Sequence, residues 1–361
     1  MDLFLLFGTS IYFCFIVIII SGLLFRVKKN YKEGDLPLVS VIIAARNEEK
    51  NISLLLNDLI NQSIDNTKVE IIISNDRSTD DTKNIVDKYS KKHSFIKTID
   101  INKKNEMSPK KYALTRAINL SKGEIIIATD ADCRVPVDWV KSMANLVNNT
   151  GKVVIGFSKI ESSKTMINKF QKIDFLGIMA ANGGLLTHNI VCSGSGQNLA
   201  YKKEDFFKIN GFESVKKQIS GDDMYIVQAI SNLKGAIFNY NPNSFVTTSS
   251  KNTIIGYLNQ RIRWSSNSKF TLKSSPLFFA FLLSAFLANS TILYFIITLS
   301  NLSLLLILTK FFLEGFVIFS GSRIFFTKFS FLSYLTWNLV QPIYIPFIGI
   351  AGLIGKFSWK E

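Results

Sequence analysis

The chain has 361 residues, 47% of them apolar, with 30 phenylalanines and a formal charge of +15. That is more apolar material than a soluble domain usually carries, so bilayer segments are expected beside a globular core. The charge names nucleic acid, anionic lipid or a polyanionic small molecule as partner, and with long apolar spans present the membrane surface is the first claimant. Two histidines, and three cysteines without metal-ligand spacing, leave little for a histidine metal site, a Ser/His/Asp triad or a disulfide framework, which fits a reducing compartment.

Residues 3–25 form an almost uninterrupted apolar run of bilayer length. Asp2 precedes it; Arg26, Lys28 and Lys29 follow. A cleaved signal peptide would carry its positive charge ahead of the run. The reverse order reads as an uncleaved anchor, residues 1–27, whose far end faces the cytoplasm.

After a linker ending at Pro37, residues 38–45 (LVSVIIAA) read as a first buried strand, and Arg46-Asn47-Glu48-Glu49 opens a helix with apolar residues at helical spacing. Residues 69–74 are a second strand. It is closed by NDRSTDDT at 75–82, where Ser78 or Thr79 is placed to cap the next helix. Residues 96–99 and 124–128 continue the rhythm, which implies a doubly wound parallel sheet. No Gly-x-Gly-x-x-Gly follows the first strand and no P-loop motif occurs, so dinucleotide and P-loop chemistry lose their sequence support. Gly194-Ser195-Gly196 lacks a third glycine and a preceding strand, and reads as a flexible loop.

The stretch that organises the rest is Glu124 to Pro136, EIIIATDADCRVP. Its apolar run reads as a strand buried on both faces, and its two aspartates emerge beyond the carboxyl end, where open α/β sheets bind ligands. Asp130 and Asp132 stand two apart, so their oxygens can share one hard divalent cation, the usual partner of a diphosphate. Aspartates that merely favour a bend read equally from this stretch alone.

Toward the C-terminus, residues 249–275 mix five basic residues with Ile254, Ile255, Tyr257, Leu258 and Ile262, as an amphipathic interfacial helix would. Residues 164–190, with Phe170, Phe175 and Leu176, read as a second acceptor-side segment or as core. Residues 277–299 and 302–319 form a hairpin of two spans around Ser300-Asn301, after which Arg323 and Lys328 mark a return to the cytoplasm. A fourth apolar stretch, 331–354, carries Gln341-Pro342 and Pro346. It crosses with a kink or dips in and returns; Lys356 and Lys360 favour an inside terminus, which a single crossing contradicts.

The series VSVIIAARNEE, SNDRSTDDT, PKKYAL, TDAD, GSGQNLAYKKEDFFKINGF, SGDDMY and QRIRW, running in order from Val39 to Trp264, resembles the membrane-bound glycosyltransferases of family 2. It is similar to the cellulose, chitin and hyaluronan synthase branch and to ceramide glucosyltransferase. The resemblance implies a GT-A (Rossmann-like) α/β domain at 37–248, one N-terminal helix and about three C-terminal transmembrane helices at 276–361. It implies that Asp76 contacts the base of the nucleotide sugar, although the family usually has Gly where Arg77 stands. It implies that Asp130 and Asp132 hold Mg2+ or Mn2+ on the diphosphate, and that Lys110 contacts phosphate, with Lys111 adjacent and not separable. Asp223 matches the catalytic base; Gln260, Arg263 and Trp264 match the motif beside the acceptor and the leaving diphosphate.

The chemistry suits these roles. A sugar leaving a nucleoside diphosphate develops negative charge on phosphate while a hydroxyl attacks from behind. Cations beside the diphosphate stabilise the leaving charge, and one carboxylate opposite takes the hydroxyl proton. Asp222 and Asp223 read equally as an acidic helix start, and Trp264 as an interface marker. With about four spans and no appended domain, an inverting transfer from a UDP-sugar to a lipid-linked acceptor at the cytoplasmic face of the inner or plasma membrane is expected. A processive polysaccharide synthase acting on a growing glycan is the alternative. A binding protein that lost turnover is opposed by the intact motifs. Nucleic acid is not expected as a partner, because the lysine pairs are scattered between motifs.

Overall fold

The computed structural model describes residues 2–26 and 34–354, so Lys28, Lys29, Lys356 and Lys360 lie outside the described residues. Helix α1 (Asp2–Leu24) leads into β1 (Val39–Ala45), α2 (Ile52–Ile60), β2 (Val69–Asp76), α3 (Thr82–Lys92), β3 (Ile96–Ile101), α4 (Pro109–Leu120) and β4 (Ile125–Asp130). Next come β5 (Cys133–Arg134), α5 (Trp139–Thr150), β6 (Val153–Gly156), β7 (Ser158–Ile160) and the long α6 (Met166–Thr187). The series resumes with β8 (Leu199–Lys202), α7 (Lys203–Lys208), α8 (Asp222–Lys234), β9 (Ala236–Asn239) and β10 (Val246–Thr248). It closes with α9 (Ile254–Ser265), α10 (Ser268–Ser274), α11 (Pro276–Ile297), α12 (Leu302–Ile324) and α13 (Phe331–Ile354). These elements fall into two compact units: a sheet unit, taking the chain up to 159 and again 193–249, and a helical unit holding α1, 160–192 and the chain from 250. Residues 160–192, inside the 37–248 span expected as one domain, thus group with the apolar helices.

In the sheet unit the strand order is β3-β2-β1-β4-β8-β6-β9. The interior strands β1 and β2, VSVIIAA and VEIIISND, are buried almost throughout, so their apolar runs are continuous rather than alternating. The pairs β1-β2, β2-β3, β1-β4 and β6-β9 are parallel, whereas β8 runs antiparallel to both β4 and β6. The sheet is therefore mixed rather than wholly parallel. A strand reached by a short helical crossover returns parallel; β8 is reached only after the chain has left the unit through 160–192, and it enters in the opposite sense. The register pairs Ala44 with Asp130 and Ala45 with Asn75, which brings Asp130 and Asp76 to the same carboxyl edge.

The loops at that edge correct one expectation. Helix α3 begins at Thr82 behind Asp81, and neither Ser78 nor Thr79 caps it. Ser78 Oγ instead accepts the Asn47 N–H at 3.1 Å, and the Thr79 N–H donates to Asn47 Oδ1 at 2.8 Å. The two side chains that could have closed a helix end tie neighbouring loops together, with Asn47 and Arg77 both at positive φ.

In the helical unit four helices, Leu3–Leu24, Pro276–Ile297, Leu302–Ile324 and Phe331–Ile354, are long and apolar enough to cross a membrane. Helix α13 runs unbroken through Pro342 and Pro346, which decides its open topology in favour of a single helix of crossing length. The segment 249–275 is two helices, α9 and α10, not one. Helices α1 and α6 meet backbone to backbone: a Cβ on Gly22 would lie 2.0 Å from the Gly184 carbonyl oxygen, so only glycine fits.

A charged group sits deep among these apolar helices. Glu314 on α12 is 3% exposed and accepts from Tyr12 Oη at 2.5 Å, Lys310 Nζ at 2.8 Å, Asn338 Nδ2 at 2.9 Å and Gln341 Nε2 at 3.1 Å. One carboxylate thereby joins α1, α12 and α13. Removing one member of a buried ion pair leaves the other charge uncompensated, at a cost of about 3 kcal/mol or more. Both Glu314→Ala and Glu314→Gln strand the Lys310 ammonium, but Gln keeps hydrogen-bonding atoms in place, so Glu314→Ala is expected to lower the thermal midpoint of the detergent-solubilised protein clearly more than Glu314→Gln; equal midpoints would mean that the hydrogen bonds add nothing beyond the ion pair.

Candidate active site

The carboxyl edge of the sheet gathers charge from three elements. Strand β4 ends at Asp130; helix α4 opens with Pro109, whose missing N–H costs nothing there, and presents Lys110 one residue later. Helix α8 opens with Asp222 and Asp223 behind Gly221, whose φ of 79° turns the chain into the helix. The Lys110 ammonium lies 2.8 Å from Asp130 Oδ1 and 3.3 Å from Asp222 Oδ2. Asp223 accepts the Gly196 N–H at 2.9 Å through Oδ2 and its neighbour's, Met224 N–H, at 2.8 Å through Oδ1. The acidic helix start and the acidic site residues are the same two residues. A helix N-terminus favours negative charge, so the two readings support each other.

Electrostatics separates the paired carboxylates. Burial works against Asp222, yet the ammoniums of Lys110 and Lys111 more than offset it and hold its carboxyl below the usual range. Burial and the Asp222 charge push Asp223 up to about 6, against the opposing pull of Lys110. Burial likewise opposes the charge on Lys110, but Asp130 and Asp222 keep it protonated far above the ordinary lysine value. Two adjacent aspartates are thus poised differently, one firmly ionised and one titrating close to neutrality.

The structure also resolves the two lysines. Lys111, 1% exposed, turns away from the acidic group and donates to the carbonyls of Gln218 at 2.5 Å and Ser220 at 3.0 Å, fixing the turn that precedes Asp222. Lys110 faces the carboxylates. Successive helical residues point about 100° apart, and that rotation makes the choice.

The loop read as flexible is packed onto the site. A Cβ on Gly196 would come within 3.3 Å of Lys110 Nζ, and one on Gly194 within 2.6 Å of Val227 Cγ2. Asn198, fully buried, anchors this loop: its Oδ1 accepts from Trp139 Nε1 at 2.9 Å, and its Nδ2 donates to the carbonyls of Phe157 at 2.9 Å and Ser244 at 2.6 Å. Nothing in the spacing of GSGQNLAY announces this. Its only trace is an asparagine one residue before a buried strand.

Asp76, at the end of β2, is 3% exposed and gripped by its neighbour: Arg77 Nε lies 2.8 Å from Oδ1 and Nη2 3.1 Å from Oδ2, with Arg46 Nη1 at 3.8 Å. Arg77 adopts φ 53°, the region that glycine enters without strain, which is the local difference its replacement of glycine leads one to expect. In the helical unit, Gln260, Arg263 and Trp264 stand at i, i+3 and i+4 on α9 and share one face.

Among the described residues no three His, Cys, Asp or Glu side chains form a ready-made metal site. A diphosphate-bound Mg2+ or Mn2+ asks less of the protein: one or two carboxylates, with phosphate and water completing the shell. Asp130 and Asp132, hard oxygen donors on one bend, fit that demand. The ammonium held at Asp130 shows that the spot favours a cation.

Residues 40–219 match the family model Glycosyl transferase family 2. The probable glycosyltransferase YdaM of Bacillus subtilis (strain 168) is 28% identical over 251 residues, 68% of this chain and 58% of that protein. The beta-monoglucosyldiacylglycerol synthase of Nostoc sp. (strain PCC 7120) is 34% identical over 122 residues, 33% of this chain and 26% of that protein. The chain therefore spans 58% or less of the length of these two relatives. The poly-beta-1,6-N-acetyl-D-glucosamine synthase of Staphylococcus epidermidis is 25% identical, along 97% of this chain and 85% of that one. A solved mannosyltransferase from Pyrobaculum calidifontis, in complex with GDP-Man and Mn2+, shares the fold with a TM-score of 0.64 over 98% of this chain and 99% of that one, at 19% identity. The mixed sheet with its helical layers is thus a GT-A-like α/β fold, and residues 40–219 form a glycosyltransferase family 2 domain.

Proposed function

We propose that the protein is an inverting glycosyltransferase that moves a sugar from a nucleoside diphosphate sugar, a UDP-sugar, to a lipid-linked acceptor at the cytoplasmic face of the membrane. The observation that carries this reading is the split pair: Asp223 raised to about 6 beside an ionised Asp222, with Lys110 bridging Asp222 to Asp130. In this reading Asp223 accepts the proton of the attacking acceptor hydroxyl, which leaves the sugar with inverted configuration. Lys110 draws the leaving diphosphate's growing negative charge and stabilises it where it matters for rate. Asp130 and Asp132 hold the divalent cation, whose chemistry when bound is to neutralise that same charge. Asp76 orients the base, and Gln260 and Trp264 border the acceptor.

A processive polysaccharide synthase is the second reading, favoured by the likeness along 97% of this chain to a polymer-forming relative. The two diverge in product. Membranes containing the protein, given radiolabelled UDP and GDP sugars with Mg2+ or Mn2+, are expected to put label into organic-extractable material. Label in high-mass material instead would establish the polymer reading, and no transfer from any donor would remove both.

Two variants probe the site within that assay. Asp223→Asn is expected to lower kcat by about a hundredfold or more, the usual worth of a positioned general base, with the Kd for nucleotide, read by calorimetry, changed less than threefold. A full loss of nucleotide binding would instead mark Asp223 as a binding residue. A base works deprotonated, so kcat/KM should fall as pH drops through about 6 and be flat above. Asp222→Asn removes the neighbouring negative charge, which eases ionisation of Asp223, so the limb should move to lower pH. A limb that stays put or moves up would sever the link between the pair.

A further inference from the structure

The motif helix α9 is held in the helical unit by a stripe of polar residues on α6 that no motif singles out. Asn168, Gln171 and Asp174 recur every three residues, share one face of α6 and are 2%, 1% and 7% exposed. Each makes at least one hydrogen bond to the segment that leads into and through α9. Asn168 Nδ2 reaches Ser250 Oγ at 2.9 Å. Gln171 forms a two-way pair with Lys251, donating to its carbonyl at 2.8 Å and accepting its N–H at 2.9 Å. Asp174 takes Arg261 Nη2 at 2.7 Å and Tyr257 Oη at 2.7 Å on Oδ2, and Trp337 Nε1 of α13 at 3.1 Å on Oδ1.

The Asp174 end of this stripe bears directly on the motif. The Arg261 guanidinium, anchored by Asp174, lies 4.2 Å from the centre of the Trp264 indole and 5.0 Å from the Tyr257 ring. A guanidinium stacked on an indole fixes the ring plane as well as attracting it. Arg261 Nε and Nη1 are buried without a hydrogen-bond partner, so the side chain is held chiefly by the carboxylate and the aromatic groups around it. A buried arginine with two donors unspent is costly to keep. Stability alone is better served by an apolar residue in its place.

Resting on the reading of Trp264 as an acceptor-side residue, we propose that Asp174 is a positioning residue for sugar transfer: through Arg261 it sets the Trp264 indole and keys α9 to the membrane-crossing helix α13. The acceptor's seat is thereby held in register with the apolar helix through one carboxylate. Asn168 and Gln171 fix the start of the same helix.

The test uses the full-length protein in nanodiscs of total lipid extract, with acceptor supplied as the mole fraction of that extract and transfer read as label in whichever fraction receives it. Asp174→Asn is expected to raise the apparent acceptor KM at least tenfold while donor KM and nucleotide Kd stay within twofold. In a Trp264→Phe background, itself raised in acceptor KM, the further effect of Asp174→Asn should shrink below threefold, since both act through one ring. If Trp264→Phe raises the acceptor KM and Asp174→Asn leaves it within twofold, the positioning role is wrong. If Trp264→Phe itself changes nothing, the acceptor-side reading of α9 fails, and the proposal with it. Should Asp174→Asn not fold, Trp337→Phe, which removes the 3.1 Å bond together with part of a buried ring, is expected to raise acceptor KM at least threefold; no change there would equally overturn the proposal.

Discussion

Unlike charges packed at the carboxyl edge of a parallel sheet set the terms for the sheet unit. Asp130 of β4 and Asp222 and Asp223 of α8 converge on Lys110 of α4, and without that ammonium the two adjacent aspartates could not both remain charged in a buried setting. Most of the surrounding detail serves to hold this arrangement. The Lys111 bonds to the carbonyls ahead of Asp222 and the αL turn at Gly221 are placed one or two residues from a charged member, and the Asn198 bonds lie two residues from Gly196, whose N–H meets Asp223. The apolar core of β1, β2 and β4 supplies the rigid floor from which those loops project.

The helical unit follows a different rule, set by polar groups that cannot reach water. Glu314 gathers four donors from three helices, and Asp174 gathers three from two. In both, a single carboxylate fixes the relative register of apolar helices whose side chains alone would slide past one another. Apolar helices in lipid gain no hydrophobic energy from meeting, so small residues and hydrogen bonds decide where they meet. The Gly22–Gly184 contact and these two carboxylates are the means used here.

Much of this was legible in the chain. The four apolar runs, the buried strands and the ordered acidic motifs depend on periods of two, 3.6 or bilayer length, or on residue identity, all of which are local. So the first strands and the apolar helices α1, α11 and α13 begin and end within a residue or two of their expected places, whereas α12 runs five residues past 319 and the interfacial segment divides into two helices. Arg77 was flagged as a departure from the family and does hold its carboxylate neighbour differently, since a side chain stands where glycine would have none.

Other features rest on contacts between residues far apart in sequence, and no period announces those. Ser78 and Thr79 carried a sound capping signal, but Asn47, some thirty residues earlier, competed for the same groups and won. β8 enters antiparallel after the chain has departed through 160–192, and α13 continues through both of its prolines. Residue chemistry and local repeat by themselves determined which family of fold and which charged residues this protein has. Only the tertiary structure decided that Lys110 rather than Lys111 meets the carboxylates, that a glycine loop closes over them and that Asp174 holds Arg261, because each is a choice between equally good local partners made by distance in space.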